Sequence, residues 1–515
     1  MLRKRASVLL GIVLLAGAPG CSDDGAVRPP AGASPRTWRV LADGSGDWPT
    51  IQDAIDHARA GDTVAVAEGL YAERLRIDVG IRLLGGWDVE FGARDPSAHP
   101  TILDGESLGT VVQVEDVHDT ATVVDGFVIT HGGTQSQPAP ALARLASSRE
   151  EPVGSGICIR NASPTISGNS IRANEASYGA GILCIRGSPR ILSNQITGNV
   201  AAEDGGGVLC LEFGGRMEGN RIADNEARKE GGGVYLSASA GEVRGDEITG
   251  NRSGHAGGGI VCRFSETRFE GVSVVENSAS GSAGGIYADR PSSPRFDGCT
   301  IRANEAEEDG GGVECGHGCT PVLSSSSLIE NTAGDNGGGV HSRADVILVE
   351  CVLRNNEAKM GGGLWCEMGG KAEVRRCLFE GNRAQAGGGA GCHLNSEARF
   401  YRNTFVHHGT GCLYLRGGYV SVEGNLLVDT EGAAAIYCWP DADLMLWKND
   451  FWGSGAGNLA GSCPEPVFPD AFGNISADPL FCDPDLGDYR LQPGSPAVVG
   501  VSDTLGAFGC GCSTR

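Results

Sequence analysis

The residues best suited to chemistry in this chain are carboxylates that recur just ahead of glycine clusters: Glu203, Asp204, Glu230, Glu308, Asp309 and Asp335. Ca2+ takes six to eight oxygen ligands, so two or three carboxylates brought together from successive turns would suit it. Asp204, Glu230, Asp309 and Asp335 are the candidate ligands, with Asp204 expected beside Glu230 and Asp309 beside Asp335. The same residue types also serve as solvated turn positions, and Ala256 and Ala283 interrupt the series. Ca2+ is the one cofactor these residues point to, and no catalytic residue is assigned. A second cluster, Cys315-Gly316-His317-Gly318-Cys319, has zinc-ligand types but no second ligand pair nearby in sequence. Trp365, Tyr401, Trp439, Trp447 and Trp452 gather late in the chain, where they would either line a sugar-binding groove or stack between coils.

These residues take their positions from a repeat. Glycine clusters return about every 26 residues, from Gly179–Gly181 to Gly387–Gly389. Ahead of each stands an asparagine: Asn174, Asn199, Asn225, Asn251, Asn277, Asn304, Asn331, Asn356 and Asn382. Such regularity means one supersecondary unit stacked on itself. Each unit carries two or three strands of three to five residues, with an aliphatic residue (Ile171, Ile196, Ile222, Ile248, Val274, Ile301) at one fixed place. The pattern predicts an all-β parallel solenoid. A leucine-rich repeat has a similar period, but its L-x-x-L-x-L run is missing and a triple glycine is foreign to its helical side.

Within such a solenoid the recurring polar residues read as structure. An amide both donates and accepts, so the asparagine column can bond the copies above and below it. A cysteine column (Cys184, Cys210, Cys262, Cys315, Cys366 and Cys392, continued by Cys412 and Cys438) exchanges with Leu236, Ala288 and Ser342, as expected of a small apolar residue. Reduced stacks are expected there. Disulfide candidates lie in the irregular C-terminal part, at Cys463, Cys482, Cys510 and Cys512.

Five segments follow. Residues 1–20 have a basic start (Arg3, Lys4, Arg5) and a short apolar run (Val8 to Ala16), which reads as a signal peptide. Residues 21–37 are polar and Pro-rich, a flexible tether. Residues 38–153 hold first coils, a loop from Gln135 to Glu151, and an amphipathic helix from Thr50 to Ala60 suited to capping the solenoid. Residues 154–461 carry the repeats, and 462–515 form a Cys- and Pro-rich C-terminal cap. The chain holds 82 glycines and a net charge of −23, which argues against nucleic acid and anionic lipid as partners.

The repeat with its G-G-G-[VIL] and N-x-A elements resembles the right-handed parallel β-helix of the pectin-lyase-like superfamily. It is also similar to the short motifs of polymorphic outer-membrane proteins. The resemblance implies a right-handed β-helix over roughly residues 38–510. The N-terminal segment resembles a bacterial lipoprotein signal, which implies lipidation at Cys21, export, and attachment at the outer membrane or cell surface. Enzymes of the superfamily act on acidic polysaccharides. Gly316-His317-Gly318 is similar to one polygalacturonase element, but the N-T-D, D-D and R-I-K elements of that family are absent. The expected function is therefore a monomeric, lipid-anchored surface module that binds polysaccharide or another cell-surface ligand. The alternative is a polysaccharide lyase or glycoside hydrolase.

Overall fold

A computed structural model describes residues 34–118, 121–133, 155–430, 432–463, 472–499 and 504–512. The signal segment, Cys21, most of the tether and the Gln135–Glu151 loop lie outside the described residues. The chain from Arg36 onward is a parallel β-solenoid. Each circuit gives one short strand to each of three long sheets, here A, B and C in the order a circuit visits them. Sheet A has 16 strands and sheets B and C have 15 each; a fourth sheet, D, has seven two-residue strands between B and C in the middle coils. One circuit runs Arg190–Leu192 in A, Gln195–Thr197 in B, Val200–Ala201 in D and Val208–Phe213 in C.

Successive circuits pair in register. Gln195, Ile196 and Thr197 face Arg221, Ile222 and Ala223 of the next coil. Side chains alternate in and out along a strand, so every inward position becomes a column, and Ile171, Ile196, Ile222, Ile248 and Ile301 are fully buried in theirs. Burying one such side chain stabilises by about 1.5–3 kcal/mol. That gain, repeated in every coil, is what holds the solenoid together.

The corners explain the sequence signature. Asn174 donates through its backbone N (3.1 Å) and Nδ2 (2.9 Å) to Oδ1 of Asn199 one coil on, and its Nδ2 also reaches the Ile129 carbonyl of the coil before (3.2 Å). The pattern repeats to Asn356 on Asn382, so each amide fills backbone positions that a buried corner would leave unpaired. His408 ends the row, its Nδ1 lying 3.3 Å from the Asn382 carbonyl. The glycine turn is crowded by the next coil: a Cβ on Gly207 would sit 2.6 Å from the Gly233 carbonyl and 3.1 Å from Asn225 Nδ2.

The cysteine column faces inward. Cys184 pairs in register with Cys210, and Cys366 with Cys392; Cys184, Cys210, Cys262, Cys315, Cys366 and Cys392 are free thiols and buried. Two members differ from the sequence reading. Leu415 occupies the column position after Cys392, while Cys412 stands where other coils have the third glycine, because this circuit is shorter. Cys438 is disulfide-bonded to Cys463, and Cys482 to Cys512, whereas Cys510 is free and exposed.

Both ends are capped. The helix α1, Ile51–His57, buries Ile51, Ala54 and Ile55, and the Thr50 hydroxyl accepts from the Asp53 N–H at 3.0 Å. It stops short of Ala60 because the Asp62 carboxylate accepts from the Arg59 N–H (3.1 Å) and fixes a turn there. At the other end an antiparallel pair, Phe481–Asp483 with Asp488–Leu491, leads into a tail. Tyr489, Leu491, Ala497 and Leu505 of this segment cover Leu378, Val406, Leu426 and Val428 on the outside of sheet B.

Two substitutions probe the corners. Asn277→Ala removes the acceptor for Asn251 N and Nδ2 and the donor to the Ile248 carbonyl; with about 1–3 kcal/mol for each buried group left unpaired, a loss of about 3 kcal/mol or more is expected in thermal unfolding. The second concerns Asp246, which stands in a neighbouring amide row. Its Oδ1 accepts from Asn220 N (2.8 Å) and Nδ2 (3.1 Å), but its buried Oδ2 has no partner, and burial pushes its pKa up to about 7. The native state keeps a proton there that the unfolded chain releases near pH 4, so stability falls as pH rises from about 4 to about 7. Asp246→Asn supplies a permanent donor. Its advantage in melting experiments should grow across that range, reaching roughly 4 kcal/mol above pH 7; a pH-independent difference would contradict the assignment.

Candidate functional site

On the outward face of sheet C the glycine turns stand against a column of side chains and wall it in as a trough: a Cβ on Gly205 would come within 2.6 Å of Leu209, and one on Gly310 within 2.7 Å of Glu314. One outward column runs Leu183, Leu209, Tyr235, Val261, Tyr287, Glu314, His341, Trp365, Gly391, Tyr414 and Tyr437 in unbroken register. Its early members are apolar and buried together with Cys158 and Tyr178. At Glu314 the column turns from apolar to charged. Glu314 and His341 are both fully buried although they point away from the core.

Around them a polar network closes. His341 Nδ1 lies 3.6 Å from Asp309 Oδ2 and 3.8 Å from Glu314 Oε1, and its Nε2 lies 3.5 Å from Glu367 Oε1. Arg343 is ion-paired with Glu314 Oε1 and lies 3.9 Å from Asp309 Oδ2. Trp365 Nε1 donates to Glu367 Oε2 at 3.1 Å. Burial disfavours a charged His341, but the carboxylates of Glu314, Glu367 and Asp309 outweigh it and push its pKa up to about 9. Burial likewise opposes ionisation of Glu314, yet His341 and Arg343 hold its pKa below the usual carboxylate range. His341 above all, with Trp365, lowers Glu367 to about 2. Titratable groups displaced this far, converging in a trough, mark a candidate site for ligand binding or proton transfer.

Aromatic side chains continue the trough toward the C-terminal coils. Trp365 lies over Gly391, where a Cβ would come within 2.2 Å of its ring. Trp365 stacks toward Tyr414 with centroids 6.3 Å apart, and Tyr414 stacks on Tyr437 at 5.6 Å. Trp439 Nε1 donates to the Tyr414 hydroxyl, and the Arg416 guanidinium sits 4.7 Å above the Trp439 ring. Of the aromatic residues singled out in sequence, Trp365 and Trp439 meet on this face. Tyr401 and Trp447 lie on sheet A and Trp452 on sheet B.

The acidic candidates divide. Asp204 Oδ1 accepts from the Glu230 N–H at 3.2 Å, and burial with the Glu230 charge raises Asp204 to about 6. Glu230 is taken by Arg263 Nη2 at 2.7 Å, so a cation is already supplied there. Asp309 does not meet Asp335: the circuit between them is one residue longer, so Asn336 faces Asp309, donating from N (3.0 Å) and Nδ2 (2.8 Å). Asp335 turns outward to Lys359 Nζ at 2.5 Å. Cys315 and Cys319 are buried while His317 is exposed. Glu314, His341, Arg343 and Glu367 were not reached from the sequence. Their signal is an exception, the second residue after a glycine cluster changing from aliphatic or aromatic to Glu and then His.

The family model for the right-handed β-helix region matches residues 147–274 and 284–451, more than half the chain. The chain belongs to the right-handed β-helix family. No curated protein matches this β-helix chain. A crystal structure of pectate lyase Pel9A aligns over 93% of this β-helix chain and 97% of its own length, at 13% identity and a TM-score of 0.32. The trough therefore has to be read from its own residues.

The Trp365–Gly391 contact gives a direct check. Gly391→Ala should push the indole off its seat and cost about 1–3 kcal/mol from overpacking. Acrylamide should then quench one more tryptophan than in the parent; an unchanged quenching profile would contradict the placement.

Proposed function

We propose that this β-helix protein is an exported surface module, anchored by a lipid on Cys21, that binds a polysaccharide along the outward face of sheet C. The observation that carries the reading is the accessible aromatic group Tyr414, Tyr437 and Trp439, which continues from the buried Trp365 beside the His341 network. Sugar rings present apolar C–H faces and hydroxyls, and an aromatic surface flanked by charged hydrogen-bonding groups suits both. Strands about 4.8 Å apart repeat that surface at regular steps, which suits a polymer better than a small ligand. The net charge of −23 favours a neutral chain, or an acidic one bridged by cations. The lipid anchor is supported by the basic and apolar run ahead of Cys21. Among the described residues no helix is long and apolar enough to cross a membrane.

A second reading, a polysaccharide lyase or glycoside hydrolase, is favoured by one observation: the buried His341 lies between Glu314 and Glu367, an arrangement able to move protons.

The test is binding of the purified chain to a polysaccharide array with and without calcium. Trp439→Ala, at an exposed position, should weaken the best binder about tenfold, the effect of one lost aromatic contact of about 1.4 kcal/mol. Trp447→Ala, on sheet A, should leave binding unchanged. Equal losses from both variants, or no binder at all, would overturn the sheet C assignment. Release of unsaturated uronides from pectate or alginate would favour the enzymatic reading. Acyl labelling lost in Cys21→Ser checks the anchor.

A further inference from the structure

We infer that Asp309, Glu314 and His341 form a binding site for a divalent cation of the zinc class. Ligand atoms of these three residues lie within 4.8 Å of one another, the one such group among the described residues. The independent observation is His341 itself. It is fully buried, and neither ring nitrogen has a hydrogen-bond partner. Three carboxylates stand within 4 Å of the ring, yet none closes to a hydrogen bond, which leaves buried donor and acceptor positions for a bridging ion to fill.

The separations suit an ion better than direct hydrogen bonds. His341 Nδ1 is 3.6 Å from Asp309 Oδ2 and 3.8 Å from Glu314 Oε1, beyond hydrogen-bond reach. Tetrahedral zinc with bonds of about 2.0–2.2 Å holds its ligand atoms about 3.3–3.6 Å apart, a spacing that His341 Nδ1 and Asp309 Oδ2 already meet. Glu314 Oε1 is engaged by Arg343, but its Oε2 is buried and has no partner, leaving a lone pair free for a metal.

The second face of the ring supports the same reading. A metal-bound histidine usually turns its other N–H toward a carboxylate, which fixes tautomer and orientation. Here Nε2 forms an ion pair with Glu367 Oε1 at 3.5 Å, longer than a hydrogen bond, and Glu367 is held in turn by the Trp365 indole N–H at 3.1 Å. Trp365 keeps that position because Gly391 leaves room for its ring. Glu367 is thus a positioning residue. Binding through Nδ1 displaces the proton that the carboxylates otherwise hold on His341; three carboxylates against Arg343 then leave two negative charges, and a divalent cation cancels them. One imidazole with two carboxylates favours first-row divalent ions such as zinc over Ca2+, which prefers six to eight oxygens. Asp309 is the partly exposed member and sets the side from which an ion or a fourth ligand enters.

The experiment strips the purified full chain with a chelator and titrates it with Co2+, following the d–d absorption. We expect saturation at one equivalent per chain, without a thiolate charge-transfer band, and displacement by Zn2+ but not by Ca2+. His341→Gln and Glu314→Gln should each weaken Co2+ binding at least a hundredfold while keeping the β-sheet circular dichroism. Asp335→Asn should bind as the parent does. The inference is overturned by absence of one-equivalent binding, by a thiolate band that moves the ion to the cysteines, by equal displacement with Ca2+, or by parental affinity in either folded variant.

Discussion

Register between successive coils is the constraint on which everything else in this protein depends. A parallel solenoid pairs residue i with its equivalent one circuit later, so an error of one residue would turn an inward column outward along every following strand. The asparagine row opposes such slips locally. Each amide is fully satisfied when the next asparagine lies directly beyond it, as Asn251 does for Asn225 and Asn277 for Asn251. The glycine turn acts from the other side. With the Gly233 carbonyl only 2.6 Å from where a Cβ on Gly207 would be, a bulkier residue at that coil would force the two coils apart. Hydrogen-bonded corners and crowded turns thus fix the spacing, and the aliphatic columns provide most of the stabilisation.

Repetition also explains how the candidate site is built. A column that repeats one residue type is a packing device, and a ligand site requires a place where the types change. On sheet C the outward column is Leu183, Leu209, Tyr235, Val261 and Tyr287 before it becomes Glu314 and His341. The turn walls that bury the apolar members also bury the charged ones. Inside that low-dielectric trough, charges act on one another more strongly than they would at the surface. His341 is therefore pushed up to about 9 and Glu367 down to about 2. The fold supplies the trough at no special cost, and a few substitutions within two coils give it chemistry.

The fold was legible in the sequence because its physics is periodic. Glycine spacing, aliphatic spacing and the Thr50 cap each point to one local structure, and together they point to a capped solenoid. The site was less legible for the same reason. The carboxylates that recur are Asp204, Glu230, Asp309 and Asp335, whereas the network centres on residues that occur once, with Asp309 the shared member. Variable coil length hides the register as well: a single extra residue puts Asn336, not Asp335, opposite Asp309, and a short circuit takes Cys412 out of the cysteine column. The Cys438–Cys463 bond joins a repeat position to the irregular cap, a pairing that neither periodicity nor cap composition could select.

The central claim, that equivalent residues stack in register and that neighbouring coils suffice to stabilise one another, is tested most directly by removing one circuit. Deletion of Val200 to Asn225 joins Asn199 to Glu226 and leaves every column continuous. Stability in a solenoid sums over coils and their nearest-neighbour interfaces, so the shortened chain should fold with the same β-sheet circular dichroism per residue. Its melting temperature should stay within a few degrees of the parent. Loss of the sheet signal, or a collapse of the melting temperature, would contradict the account.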